Sequence, residues 1–256
     1  MNYSASYFKK NMPEWKRKKD PLLSRLFYRR VAFYTASICA NHNISANTVS
    51  YVSALVAILG CALFIPNYFV CNIIGAILFN LWLIMDCTDG NLARSVKKQP
   101  FGEFADGISS YILVGFMGIT MGICAFNTGG VLFKIHNHWI ILLGGLASIS
   151  DTLMRLIYQK YKNTERALAD KGVLRVENDK RTDHSQVGSL RVRIEAELGI
   201  GGVLPLIILL GTVFHFLDAV VLYCLLYYGS SCIVATMIYI KKAVVATKLY
   251  QDKMPQ

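Results

Sequence analysis

The chain has 256 residues, 54% of them hydrophobic and only 17% charged. Soluble globular domains carry roughly 25% charge, so the shortfall argues against a soluble fold and for a membrane-embedded one. The net charge of +11, from 27 Lys+Arg against 16 Asp+Glu, leaves nucleic acid and an anionic membrane surface as partners, and the placement of the charges decides between them.

Residues 1–43 form a polar, basic segment without the early apolar core of a cleavable signal peptide. Within it, Leu22, Leu26, Arg29/Arg30 and Phe33 recur at helical spacing over 20–34. Apolar residues mixed with arginines in that pattern suit an amphipathic helix at the headgroup boundary. Six apolar segments follow, at about 46–65, 69–86, 101–126, 138–158, 198–216 and 219–240. Each approaches the roughly 20 residues that a helix needs to cross a bilayer. The expectation is an all-α, polytopic, six-helix membrane domain over 44–248, with a polar loop at about 160–195 and a short tail at 249–256. Glu195 and Glu197 suit the N-terminus of the fifth segment. Gly199, Gly201 and Gly202 with Pro205 suit close helix packing.

The basic residues then orient the chain. Residues 1–30 hold nine Lys/Arg, and residues 160–195 hold nine more. Arg94, Lys97 and Lys98 follow the second segment, and Lys241, Lys242, Lys248 and Lys253 follow the sixth. The opposite loops hold only Lys134. Loops rich in Lys and Arg stay cytoplasmic, so both termini are expected inside. A charge collar of this kind faces lipid headgroups and excludes the nucleic-acid reading. Seven scattered cysteines show no zinc spacing and read as small buried hydrophobes.

The second segment ends in Asp86-Cys87-Thr88-Asp89-Gly90-Asn91-Leu92-Ala93-Arg94. On a helix, 86, 89, 90 and 93 share a face that carries two carboxylates and two very small residues. The third segment opens with Gly102, and 102, 106 and 110 share a face that carries Asp106 and Ser110. A short turn around Lys97–Pro100 makes the two helices expected antiparallel neighbours. That pairing sets Asp89 level with Asp106 and brings Asp86 near Ser110. Carboxylates at such depth mark function. A hard divalent cation, Mg²⁺ or Mn²⁺, compensates their repulsion through oxygen ligands. Gly90 and Ala93 let a bulky ligand approach the backbone, and Arg94 offers bidentate contacts to phosphate.

This run resembles the motif of the CDP-alcohol phosphotransferase (CDP-alcohol phosphatidyltransferase) family, Asp-x-x-Asp-Gly-x-x-Ala-Arg followed by Gly-x-x-x-Asp-x-x-x-Asp. Asp86, Asp89, Gly90, Ala93, Arg94, Gly102 and Asp106 occur in that order. The run 44–50 resembles the family's Pro-Asn-x-x-Thr sequence before the first span, with Ala46 for Pro and Ser50 for Thr. The resemblance implies transfer of a phosphoalcohol from a CDP-alcohol to an acceptor hydroxyl, with release of CMP. It implies metal ligation by Asp86, Asp89 and Asp106, with Asp106 and Asp89 catalytic. It also implies a substrate site at Asn47, Gly90, Ala93, Arg94, Gly102 and Ser110, with Gly90, Ala93 and Asn47 lining the nucleotide pocket, and a dimer.

Two departures stand out. Ser110 replaces the fourth aspartate of the motif, and a neutral hydroxyl is no general base. Seven residues separate Arg94 from Gly102 where eight are usual. One metal, a different base or lost activity would each account for Ser110. Asp151 and Arg155, one turn apart in the fourth segment, form an internal ion pair or bind substrate through Arg155. Glu103 belongs at the aqueous rim. His136 and His138 fall in an outside loop, and Trp82 and Trp139 are packing or interface anchors. An ion or solute transporter that uses the same carboxylates, and a catalytically inactive scaffold, are the competing readings.

Overall fold

The computed structural model describes residues 2–172 and 196–251, and every regular element among them is helical. Helices α1 (Ala5–Lys10) and α2 (Glu14–Lys19) lead to a π-helical turn (Ser24–Tyr28) and α3 (Arg29–Asn41). The bundle follows as α4 (Ala46–Leu63), α5 (Phe69–Ser95), α6 (Gly102–Thr128), α7 (Trp139–Asp170), α8 (Leu204–Val213) and α9 (Leu217–Gln251). Helices α4, α5, α6, α7 and α9 are long and apolar enough to cross a membrane. Their outer faces stay apolar, with Leu55 and Leu59 on α4, Ile149 and Leu156 on α7 and Ile233 and Met237 on α9 all exposed, as a surface that meets lipid requires.

The fifth apolar segment is the exception to the expected six long spans. Its helix has only 10 residues, about 15 Å of rise against a core of about 30 Å. The glycines explain the shortfall. Val203 N–H donates to Glu197 C=O at 3.0 Å and Gly202 N–H to Gly199 C=O at 2.9 Å. That turn is so tight that a Cβ at Gly202 would lie 2.1 Å from the Glu197 carbonyl oxygen. Pro205 then opens α8, where its missing N–H costs no hydrogen bond. These residues serve a turn rather than helix–helix packing. Helix α7 differs in the other direction and continues to Asp170, through the first part of the expected polar loop. The remainder of that loop, including Glu195, lies outside the described residues.

Packing is closest where side chains vanish. A Cβ on Gly144 of α7 would sit 2.3 Å from the Gly118 carbonyl oxygen of α6, and one on Gly122 would sit 2.7 Å from that of Ile140. Small residues spaced by four let two backbones approach in this way. Helix α4 packs along both α5 and α6, while α5 and α6 touch only sparsely. The short turn therefore joins two helices that flank α4, not the fully packed antiparallel pair expected from its length. The free cysteines behave as expected, with Cys61, Cys87, Cys124, Cys224 and Cys232 buried and Cys39 and Cys71 half-buried.

At the end remote from the acidic motif the loops interlock. Asp218, fully buried at the start of α9, accepts backbone N–H bonds from Val131, Leu132 and Phe133 of the α6–α7 loop at 2.6–3.2 Å. Asn127 donates to Ile65 C=O at 3.2 Å, and His215 stacks on Phe69 at 5.5 Å. His136 and His138 pack on Phe126 at this same end.

The Gly118–Gly144 crossing yields a stability test. Gly144→Ala is expected to cost about 2 kcal/mol by forcing the backbones apart. Gly145→Ala, whose new Cβ would meet only Ile119 Cδ1 at 4.0 Å, should leave the melting temperature of the purified protein nearly unchanged. Fluorescence-detected thermal unfolding in detergent compares the two.

Candidate active site

Helix α5 runs unbroken through the acidic motif because Asp86 to Arg94 contain no proline, and Thr88 turns its hydroxyl back to Ile84 C=O at 2.8 Å without breaking the helix. Asp86 is half-buried, Asp89 is 6% exposed, and Asp106 near the start of α6 is open to solvent. Asp86 and Asp89 lie on α5 and Asp106 lies on α6, the two helices that flank α4. Ser50 on α4, between the two helices, donates to Asp89 Oδ2 at 2.6 Å. That bond fixes one carboxylate and leaves Asp106 the accessible one.

One turn deeper, a polar chain ties the same three helices. Trp82 Nε1 donates to Ser109 Oγ at 2.8 Å, Ser109 and Ser53 share a hydrogen bond of 2.6 Å, and Ser53 donates to Ser50 C=O at 2.7 Å. Trp82 is 2% exposed, so it is a packing anchor as expected, and its N–H finds the partner that burial demands. The chain floors the gap directly beneath the carboxylates.

The other motif residues lie around the rim. Gly90 sits beneath the Arg94 guanidinium, and a Cβ there would meet Nη2 at 2.9 Å. Arg94 also bonds Asn91 Oδ1 at 3.4 Å. Ala93 is half-buried against Leu92 and the α3–α4 cluster. Asn47 Nδ2 donates to Pro100 C=O at 2.8 Å, and its oxygen faces Gly102. Phe101, exposed and left-handed at φ 58°, closes the α5–α6 turn. The connection one residue shorter than usual is thus made by a strained residue and braced by Asn47. Ser110 is half-buried and donates to its own Gly107 C=O at 3.1 Å. Glu103 is exposed at the rim.

On the far wall, Asp151 and Arg155 form the ion pair at 2.8 Å. Arg155 lies over the Tyr111 ring at 5.9 Å and acts on Asp106. Asp151 Oδ2 and the Tyr228 hydroxyl are buried there without a hydrogen-bond partner among the described residues.

The sequence placed Arg29 with Arg30 at the headgroup boundary and did not single out Asp20. Their residue types on an amphipathic segment suggest headgroup contact, yet Arg29 is 5% exposed. Its Nε and Nη2 grip both Asp20 oxygens at 3.0 and 3.1 Å, and Nη1 donates to Cys87 C=O at 3.1 Å and Asn91 Oδ1 at 3.3 Å. Burial alone would raise the Asp20 carboxyl, but Lys16 and Arg29 outweigh it and hold it below the ordinary range. Leu22, Leu26, Phe27, Tyr34 and Ile38 do face outward with Arg25 and Arg30, as an interfacial helix would. Glu197 accepts the Leu22 N–H, so it caps the start of this segment instead of its own helix. Tyr7 adds a bond of 2.8 Å to Ser95 C=O.

The fold and this site define a polytopic helical membrane protein with an acidic, cation-rimmed gap at one end of its bundle. The family model of CDP-alcohol phosphatidyltransferases matches residues 43–178, more than half the chain, and the chain belongs to that family. Its members are transferases that act on a CDP-alcohol and an alcohol acceptor in lipid biosynthesis, generally with Mg²⁺ or Mn²⁺. A comparison with curated proteins finds no significant match.

The Arg29–Asp20 clamp makes a direct prediction. Arg29→Met leaves a buried carboxylate short of its main partner and is expected to cost about 3 kcal/mol. Asp20→Asn in the same background should recover part of that loss in thermal unfolding. Because Asp20 is depressed, the pair's contribution is complete above the ordinary carboxylate range and disappears as pH falls through the folded value.

Proposed function

We propose that the protein transfers a substituted phosphate from a CDP-linked alcohol to an acceptor hydroxyl and releases CMP, with its site facing the cytoplasm. The observation that carries this reading is the acidic motif inside the matched region, seated at one end of the bundle, where Ser50 donates to Asp89 at 2.6 Å, Asp106 is open to solvent and Arg94 lies over Gly90. Among the described residues no three acidic, His or Cys groups form a ready-made metal cage. The donor chemistry nevertheless fits: three carboxylates from two helices are hard oxygen ligands of the kind Mg²⁺ and Mn²⁺ prefer. Asp86, Asp89 and Asp106 would hold the ion. When bound, it neutralises the pyrophosphate and stabilises the departing CMP.

The chain's own groups do the rest. Gly90 and Ala93 leave room for the nucleotide against α5, and Gly102 and Asn47 border it from α6 and α4. Arg94 binds phosphate from above Gly90. The acceptor oxygen attacks the phosphorus that bears the alcohol as the bond from that phosphorus to CMP breaks. Asp106, the exposed carboxylate, takes the hydroxyl proton, while Asp89 stays fixed by Ser50. Arg155, steered by Asp151 and the Tyr111 ring, faces the acceptor side. Ser110 spends its proton on Gly107 and supplies a neutral surface only.

The Lys/Arg excess at this end of the bundle supports cytoplasmic sidedness and inside termini. The apolar outer faces of the spanning helices leave space for a second copy, and cross-linking in native membranes tests the homodimer that the resemblance implies. The donor is either CDP-diacylglycerol with a polar acceptor or a small CDP-alcohol with a lipid or saccharide acceptor.

Purified protein incubated with a panel of CDP-alcohols should release CMP with Mg²⁺ or Mn²⁺ and not with chelator. Lipid extraction after labelled donors separates the two donor classes. Asp106→Asn is expected to lower CMP release by about 100-fold. No metal-dependent CMP release from any donor, with Asp106→Asn changing no lipid in cells, would favour the inactive reading that Ser110 motivates.

A further inference from the structure

We propose that Asn91, at a position the acidic motif leaves open, is a positioning residue for the donor: its amide oxygen holds the Arg94 guanidinium in the orientation that receives a phosphate. The inference rests on the phosphotransfer reading and deepens it at one residue.

Asn91 is 3% exposed, while Arg94, near the end of the same helix, is open to solvent. Residues three apart are neighbours on a helix surface, and Arg94 Nη2 donates to Asn91 Oδ1 at 3.4 Å. The guanidinium also lies close over Gly90, where a Cβ would meet Nη2 at 2.9 Å and Nη1 at 3.0 Å. Arg94 therefore folds back over the turn that carries Asp89, the direction in which helical side chains lean. The other side of the amide oxygen belongs to Arg29, whose Nη1 donates to it at 3.3 Å. Arg29 is 5% exposed and is fixed by both Asp20 oxygens and by Cys87 C=O. One oxygen thus ties an accessible guanidinium to a buried, clamped one.

Both arginines are donors, so the amide must turn its oxygen toward them. Asn91 Nδ2 is buried without a hydrogen-bond partner among the described residues. Its burial contributes nothing favourable, and the oxygen alone accounts for the residue. An aspartate here would accept the same two bonds but would also neutralise part of the charge that Arg94 offers an anion. The amide orients the guanidinium and leaves that charge for the ligand. Arg94 has five N–H donors and Asn91 takes one, so a planar pair remains for two phosphate oxygens. By this route the Arg29–Asp20 clamp of the N-terminal segment sets the direction of a motif residue that it does not touch.

The test uses the full chain in detergent with Mn²⁺ present and CDP, which keeps the donor's pyrophosphate, as the titrant. Calorimetry reads affinity, and thermal unfolding is followed alongside. Asn91→Leu keeps the volume, removes the acceptor and should weaken CDP binding by about tenfold, the scale of one charge-assisted hydrogen bond. Asn91→Asp should weaken it by about tenfold as well, yet unfold at or above the wild-type temperature, because the hold is kept and the charge is cancelled. A purely structural role predicts wild-type affinity for the aspartate variant instead. Arg94→Gln should weaken binding by itself, and Asn91→Leu added to it should change affinity by less than about twofold, since the one acts through the other. Should Asn91→Leu fail to fold, Asn91→Ala removes the same oxygen and serves in its place. Wild-type affinity in the leucine or aspartate variant overturns the proposal, as do additive losses in the double variant. A wild-type chain that binds no CDP overturns the phosphotransfer reading, whereas wild-type affinity in Arg94→Gln removes only Arg94 from it. The Asn91 role falls with either.

Discussion

Carboxylates repel one another most where water is scarce, and Asp86, Asp89 and Asp106 all lie at one end of an apolar bundle. Much of the surrounding structure answers that repulsion. Ser50 gives Asp89 a hydrogen bond, Arg94 folds back over Gly90, and Arg155 reaches across from α7. The N-terminal segment adds the buried Arg29, which grips Asp20 and donates to Cys87 C=O of α5. Arginines from three helices, α3, α5 and α7, thus lie around this end of the bundle.

Helix α4 makes the arrangement possible. By packing on both α5 and α6 it keeps two acidic helices from closing on each other, and its serines turn the separation into a fixed spacing. The Trp82–Ser109–Ser53 chain holds that spacing one turn below the carboxylates. The strained Phe101 turn, braced by Asn47, holds it at the rim. The gap is thus bounded above and below by hydrogen bonds rather than by apolar contact, which specifies geometry more tightly.

Helical class, apolar segments and the acidic motif were legible in the sequence because each has a strong periodic or positional signature. Asp86 and Asp89 share one face of α5 by the arithmetic of 3.6 residues per turn, and Asp106 stands near the start of α6. The role of α4 was not legible, since a short connection says that two helices are adjacent in sequence but not what lies between them. The fifth segment misled because its apolar run hides a tight Gly199–Gly202 turn, and hydropathy does not register backbone geometry. Arg29 looked like a headgroup contact because it adjoins Arg30, which is exposed. Only the partner nine residues earlier, Asp20, distinguishes a buried arginine from an exposed one, and no periodicity links them.

Asp218 receives the α6–α7 loop while Asn127 and His215 fasten the neighbouring turns at the same end. The helices are therefore pinned like the ribs of a fan at one pole. Both poles of the bundle are therefore tied by polar bonds between distant stretches of chain, so that a substitution loosening one pole leaves the register of the helix ends at the other in place.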